Sequence, residues 1–282
     1  MSEIRRVGQV KEVTSLANPL IKDIRALALK KFRDREGAFM AEGLKLVIDA
    51  LDLGWTIRTL VFAKAQRGNA AVEKAAARTV AAGGLVLEVP EKLLVAITRR
   101  DNPQAVLGVF AQRWITLADI RPRDGEVWVA LDRVRDPGNL GTVIRTVDAA
   151  GAKGVILVGD TTDPFSLETV RATMGSIFAV PVARAGVEAF IGWKKAAKAR
   201  IVGTHLKGSV DYRRPDYTKG PLVLLMGNEQ QGLPEALAQA CDTLIRIPQA
   251  GRADSLNLAV ATGVALYEMR RHAFPVAQGS GA

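Results

Sequence analysis

The chain has 282 residues, with 39 Lys and Arg against 29 Asp and Glu, a formal net charge of +10, and a hydrophobic share of 48%. That length suits two domains with real cores, and the excess of positive charge points to an acidic partner, foremost nucleic acid, through phosphate neutralisation. The single cysteine, Cys241, excludes an internal disulfide; the polar N-terminus and the absence of any apolar run near ~20 residues argue against a signal peptide and a membrane span and for a cytoplasmic protein.

In the first third, Thr14, Ser15, Asn18 and Pro19 form a capping and turn cluster ahead of a basic helical stretch over 20–35. Ile21, Ile24, Leu27 and Ala28 make its apolar stripe, and Lys22, Arg25, Lys30, Lys31, Arg33 and Arg35 supply charge. A second amphipathic helix is expected over 42–53, ending at Gly54. Strands follow at 57–62, 85–89 and 106–110, with helices at 70–82 and 91–97. Together these make a compact α/β domain over 1–114. Residues 115–125, where Pro122, Gly125 and clustered charges break the periodicity, read as a linker.

From 126 to 274 short apolar strands alternate with helices. Strands are expected at 127–131, 154–158, 178–182, 201–205, 222–226 and 243–247, and helices at 140–150, 166–174, 187–199, 234–240 and 255–272. Such alternation implies a mostly parallel sheet covered on both faces. The small polar tail, 275–282, is expected to be disordered.

Several chemistries are excluded. The glycines after the strand at 127–131 have the wrong spacing for a dinucleotide-binding unit, and no phosphate-binding loop is present. His205 and His272, with one cysteine, form no metal-ligand set. No Gly-x-Ser-x-Gly elbow offers an acyl-transfer nucleophile. The site must work without metal, thiol or histidine relay.

Three segments remain at the carboxyl ends of expected strands: 136–145, the Gly227-Asn228-Glu229 turn, and 248–257. In α/β proteins such ends line ligand crevices. Asn139 is placed to cap a helix. Arg145, among Val143, Ile144 and Val147, is expected to be partly enclosed, with Glu229 or an RNA phosphate as its partner. Amides, hydroxyls and carboxylates, Glu229 among them, suit a cationic, hydrogen-bonding ligand better than a polyphosphate.

Asn139, Arg145 and Gly151, then Gly227-Asn-Glu-Gln-Gln-Gly-Leu233, then Ile247-Pro-Gln249 with Ser255-Leu-Asn257, resemble the three motifs of the SpoU/TrmH-type RNA 2′-O-ribose methyltransferases of the SPOUT superfamily. Thr14-Ser15, Asn18-Pro19 and Lys22, then Gly37 and Phe39-Met-Ala-Glu-Gly43, resemble that family's N-terminal substrate-binding domain. Asn102-Pro103-Gln104 loosely resembles the loop at that domain's end. The resemblance implies a ribosomal-protein-like α/β domain followed by a SPOUT domain with a parallel sheet and a deep trefoil knot. It implies S-adenosylmethionine as cofactor, held by Leu225, Met226, Gly227, Ile247, Pro248, Gln249, Ser255, Leu256 and Asn257. It implies a homodimer that completes the site, and Asn139, Arg145, Glu229, Ser255 and Asn257 as catalytic residues. Arg145 would polarise the ribose hydroxyl or grip the adjacent phosphate; as a base it is uncomfortable, because guanidinium titrates above ~12. Gln249 departs from the family's usual methionine. Ribosomal RNA is favoured as substrate, the alternatives being transfer RNA methylation or a non-catalytic RNA-binding or assembly protein on the same fold.

Overall fold

The computed structural model describes residues 8–205 and 210–274; the expectation for the tail at 275–282 lies outside them. The chain forms two compact units. One takes in the described residues up to Arg113 together with Asp163–Ala179, and the other takes in Trp114–Thr162 and the described residues from Val180 onward.

In the first unit, β1 (Gln9–Glu12), α1 (Pro19–Ala26), α2 (Lys30–Glu36), β2 (Ala38–Glu42), α3 (Leu44–Asp52), β3 (Ile57–Ala63), α4 (Ala70–Ala81), β4 (Leu85–Val89), α5 (Glu91–Thr98) and β5 (Val106–Ala111) follow in order. They build a five-stranded mixed sheet of order β1-β4-β3-β5-β2, antiparallel where β5 meets β3 and β2. Asn18 starts α1 by accepting from the Leu20 amide at 2.9 Å, with Pro19 in the first turn. The single basic helix expected over 20–35 is broken at 27–29. The break leaves the Leu27 carbonyl free, and Arg33 takes it at 2.8 Å. Arg33 is therefore a buried structural cation, 4% exposed, and not part of the solvated basic face. Strand β2 was hidden because all five of its residues are buried, so it shows no alternation.

In the second unit the order is β6 (Val127–Asp132), α6 (Pro137–Ala149) and β7 (Val155–Val158); the chain then contributes α7 (Leu167–Ala172) to the first unit and returns as β8 (Val182–Ala185), α8 (Val187–Ala197), β9 (Arg200–Thr204), β10 (Val210–Asp211), β11 (Leu222–Met226), α9 (Glu235–Ala240), β12 (Thr243–Arg246) and α10 (Leu258–Arg270). The sheet has seven strands in the order β10-β12-β9-β11-β6-β7-β8, and every pairing is parallel. The expected linker is packed rather than open. Ile115 bridges Ala183, and Ile120, 2% exposed, accepts from the Trp193 indole at 3.3 Å. The strand expected at 178–182 is instead a short 3-10 turn at Ser176–Phe178, and β8 begins after Pro181, which has no amide to donate to a ladder.

Asp163–Ala179 departs most from the expected layout, which kept it with the second domain. Phe165 and Phe178 join Phe39, Trp55 and Phe110 in one aromatic cluster, with Phe39–Phe165 centroids 4.8 Å apart. Asp163 pairs with Arg33 at 2.7 Å, Arg171 with Glu42 at 3.0 Å, and the Trp55 indole donates to the Phe178 carbonyl at 2.8 Å. This segment is core of the first unit, despite its place in the sequence.

Candidate active site

Strand β6 ends at the buried Asp132, and its neighbour in the sheet on one side is β11 and on the other β7. The chain leaving β6 moves to β7 on one side and the chain leaving β11 moves to β12 on the other, and such a reversal is where open parallel sheets form their crevices. A cleft of about 470 Å³ lies there, lined by Arg135, Asp136 and Asn139 after β6, Asn228, Glu229 and Gln230 after β11, and Asn257 before α10.

The helix cap differs from the one expected, and the difference matters. Asp136, not Asn139, caps α6: its carboxylate accepts from the Asn139 amide at 2.6 Å, and Pro137 occupies the first turn. Aspartate before Pro-Gly is itself a helix-start signal. Because the cap is filled, the Asn139 side chain is available to the cleft. Its Nδ2 donates to Glu229 Oε1 at 3.2 Å, and its Oδ1 accepts from Asn257 Nδ2 at 2.9 Å. Asn257 is meanwhile fixed as the cap of α10, its Oδ1 accepting from the Ala259 and Val260 amides at 2.9 and 3.3 Å. Helices α6 and α10 pack together. Three of the five expected catalytic residues thus form one hydrogen-bonded row.

The other two stand apart. Arg145 is exposed on α6 and lines no part of this cleft, and its side chain makes no ion pair or hydrogen bond among the described residues. The expected enclosure fails because Val143, Ile144 and Val147 turn to the core while Arg145 faces outward on the same helix. Its expected partner Glu229 is engaged by Asn139. Ser255 is also exposed and outside the lining.

Of the residues implied for the cofactor, Leu225 and Met226 are buried in β11, Gly227, Ile247 and Leu256 are half-buried, and Pro248, Gln249 and Asn257 are exposed. A Cβ on Gly227 would fall 2.5 Å from the carbonyl carbon of Gly232, so glycine is required for the chain to fold back there. Gln249 turns its amide onto the Ile247 carbonyl at 3.1 Å. Sequence reasoning missed Arg135, Asp136 and Asn228. Arg135 is the cleft's cation and pairs with Asp160 at 2.8 Å. Asn228 donates to the Arg133 carbonyl at 2.9 Å and accepts from the Gln230 and Gln231 amides.

Comparison with known proteins gives this arrangement a lineage. Residues 126–267 match the SpoU rRNA Methylase family, and residues 18–108 match the MRM3-like substrate binding domain. The chain belongs to the SpoU rRNA methylase family. A 23S rRNA (guanosine(2553)-2'-O)-methyltransferase of Bacillus subtilis is 31% identical over 261 residues, covering 93% of this chain and 100% of that one. A 23S rRNA (uridine(2479)-2'-O)-methyltransferase of Streptomyces viridochromogenes is 34% identical over 245 residues, covering 85% and 84%. The crystal structure of an AdoMet-bound rRNA methyltransferase from Sinorhizobium meliloti superposes with a TM-score of 0.91 at 68% identity, covering 95% of this chain and 100% of that one. The α/β fold and its all-parallel sheet are those of this methyltransferase family. Among the described residues of this SpoU-family chain, no helix is long and apolar enough to cross a membrane.

Proposed function

We propose that this chain is an S-adenosylmethionine-dependent methyltransferase acting on a ribose 2′-hydroxyl of structured ribosomal RNA. The observation that carries the reading is the Asn257–Asn139–Glu229 row at the switch point of a parallel sheet. The relatives that act on 23S rRNA, aligned over most of their length, favour ribosomal over transfer RNA.

The loops implied for S-adenosylmethionine fit that group. Residues 225–227, 247–249 and 255–257 carry no lysine or arginine, as a sulfonium requires. Half-buried Ile247 and Leu256 offer apolar walls, and the exposed Gln249, Ser255 and Asn257 offer hydrogen bonds. When bound, S-adenosylmethionine supplies both the methyl group and the leaving thioether, so no metal or side-chain nucleophile is needed. The protein's task is then placement, which can supply several orders of magnitude of rate. Asn139, held from both sides, orients the ribose; Glu229 places a negative charge beside the cleft; Asn257 ties both to the start of α10.

Arg145 belongs to the same reading in a different way. Its exposure, with Val260 and Tyr267 53% and 46% exposed on the adjoining α10, supports a homodimer in which Arg145 serves a partner's cleft. There it would polarise the hydroxyl or hold the neighbouring phosphate. We include in the proposal the trefoil knot, the cytoplasmic location and the division into an RNA-binding first domain and a catalytic second one. Exposed Lys22, Arg25, Lys30, Lys31 and Arg35 give the first unit a phosphate-binding face. Methyl transfer from labelled S-adenosylmethionine to in vitro transcribed 23S rRNA tests the reading; no incorporation would refute it, and incorporation that Asn139→Ala does not diminish would refute the role given to the row.

A further inference from the structure

We propose that Arg133 is a positioning residue for methyl transfer, a lock that holds the loop presenting Glu229 to the cleft. The inference rests on the methyltransferase reading of that cleft and names a part of its machinery outside the motif residues.

Arg133 has a φ of 46°, in the left-handed region that residues with a Cβ avoid. Such a backbone persists only where its surroundings hold it, and at functional sites that is often part of the design. Two sets of bonds hold it. On one side lies Asp132, whose side chain is 0% exposed and whose oxygens take Arg133 Nε at 3.1 and 3.0 Å and Nη2 at 2.9 Å. A buried carboxylate needs such a forked partner, and the same pairing holds the Arg133 guanidinium above its ordinary pKa. Gly159 lies alongside, where a Cβ would come within 3.2 Å of Arg133 Cγ, so its lack of a side chain leaves room for the arginine stem.

On the other side lies the loop after β11. Arg133 Nη1 donates to Gln231 Oε1 at 2.9 Å, and the Arg133 carbonyl accepts from Asn228 Nδ2 at 2.9 Å. Asn228 in turn holds the Gln230 and Gln231 amides at 3.0 and 3.2 Å and closes the loop with Gly232 through paired backbone bonds of 3.2 and 2.9 Å. Glu229 therefore sits between two residues that are both bonded to Arg133. It is itself exposed, and among the described residues its side chain's one hydrogen-bond partner is Asn139 at 3.2 Å. Neither burial nor an ion pair fixes its carboxylate; the loop does. The chain of contacts runs from the buried end of β6, through Arg133, to the carboxylate that faces the reacting groups.

A double-mutant cycle in the full-length protein tests this. Glycine adopts a φ of +46° freely, so Arg133→Gly removes the side chain without disturbing the backbone. For Arg133→Gly the expected result is a kcat lowered about tenfold on 23S rRNA, with the KM for RNA and the Kd for S-adenosylmethionine within about twofold of the wild type. Adding Glu229→Gln should then produce little further loss, because both changes act through one carboxylate. Should the unpaired Asp132 prevent Arg133→Gly from folding, exposed Gln231→Ala enters the same cycle, with a kcat loss of about threefold and the same non-additivity. Losses that multiply in the cycle, or an unchanged kcat in a folded variant, would overturn the lock and leave the methyltransferase reading standing. A wild-type protein that methylates no ribosomal RNA would overturn both, and is distinguished by the wild-type lane alone.

Discussion

Asp163→Ala should destabilise the first unit by about 3–5 kcal/mol, the usual cost of leaving one member of a buried ion pair alone. The magnitude follows from the surroundings. Arg33 and Asp163 have side chains 4% and 8% exposed. Both Arg33 Nε and Nη2 lie 2.7 Å from Asp163 Oδ2, and the third guanidinium nitrogen is already committed to the Leu27 carbonyl. Alanine leaves a buried charge with one neutral acceptor, and it also removes the carboxylate that accepts from the Phe165 amide at 2.8 Å. For a unit of roughly 130 residues the loss corresponds to about 10–20 °C in Tm. Hydrogen exchange of β2 and β3 amides under urea reads the effect where it should appear. Combining Asp163→Ala with Arg33→Met should recover most of the stability, since apolar replacement of a whole buried pair is often neutral. A loss below about 1 kcal/mol, or one confined to amides of the second unit, would refute the assignment of Asp163–Ala179 to the first core.

Other outcomes follow from single contacts. Gly227→Ala puts a Cβ 2.5 and 2.6 Å from backbone atoms of Gly232 and Leu233; affinity for S-adenosylmethionine by calorimetry should fall about tenfold or more, on the order of 1.4 kcal/mol, and an unchanged Kd would show that this turn does not shape the cofactor loop. Arg145→Ala should bind S-adenosylmethionine within about twofold yet lose about 100-fold or more in kcat, as removal of a charge-stabilising group does; near-normal turnover would exclude both roles given to it. Burial pushes the Cys241 thiol up to about 12 from an ordinary 9.0. At pH 8 the native protein should therefore resist iodoacetamide while the unfolded chain reacts, and rapid native labelling would contradict the burial. Because the folded-state value is the higher one, Cys241 has no effect on stability below about pH 9 and lowers it as pH rises from there toward 12.

What the sequence disclosed depended on whether the signal was local. Strands such as Leu222–Met226, wholly apolar, and Leu85–Val89, apolar but for Glu88, are short runs closed by glycine or proline, and their limits are readable residue by residue. The parallel sheet follows from the alternation of such runs with helices. Position at strand ends marked out the segments holding Asn139, Glu229 and Asn257, and the resemblance to the SpoU/TrmH-type motifs singled out these three within them. What could not be read was long-range. Arg33 looks like one more surface cation until Asp163, 130 residues away, is placed beside it. Asp163–Ala179 has the same strand-helix rhythm as its neighbours, and nothing local shows that Phe165 and Phe178 pack against Phe39 and Trp55. The apolar residues next to Arg145 in sequence suggest enclosure, but on a helix those residues point elsewhere. Asp136 and Asn139 are both legible as caps, and it is Asp136 that caps α6 while the cleft uses the Asn139 side chain.

The most direct test of the central claim is a map of ribose 2′-O-methylation across ribosomal RNA from cells with the gene, without it, and complemented by wild type or Asn139→Ala. The account predicts one 23S rRNA position that loses its methyl group without the gene, regains it with the wild type, and stays unmodified with Asn139→Ala. An unchanged map, or full restoration by Asn139→Ala, would contradict it.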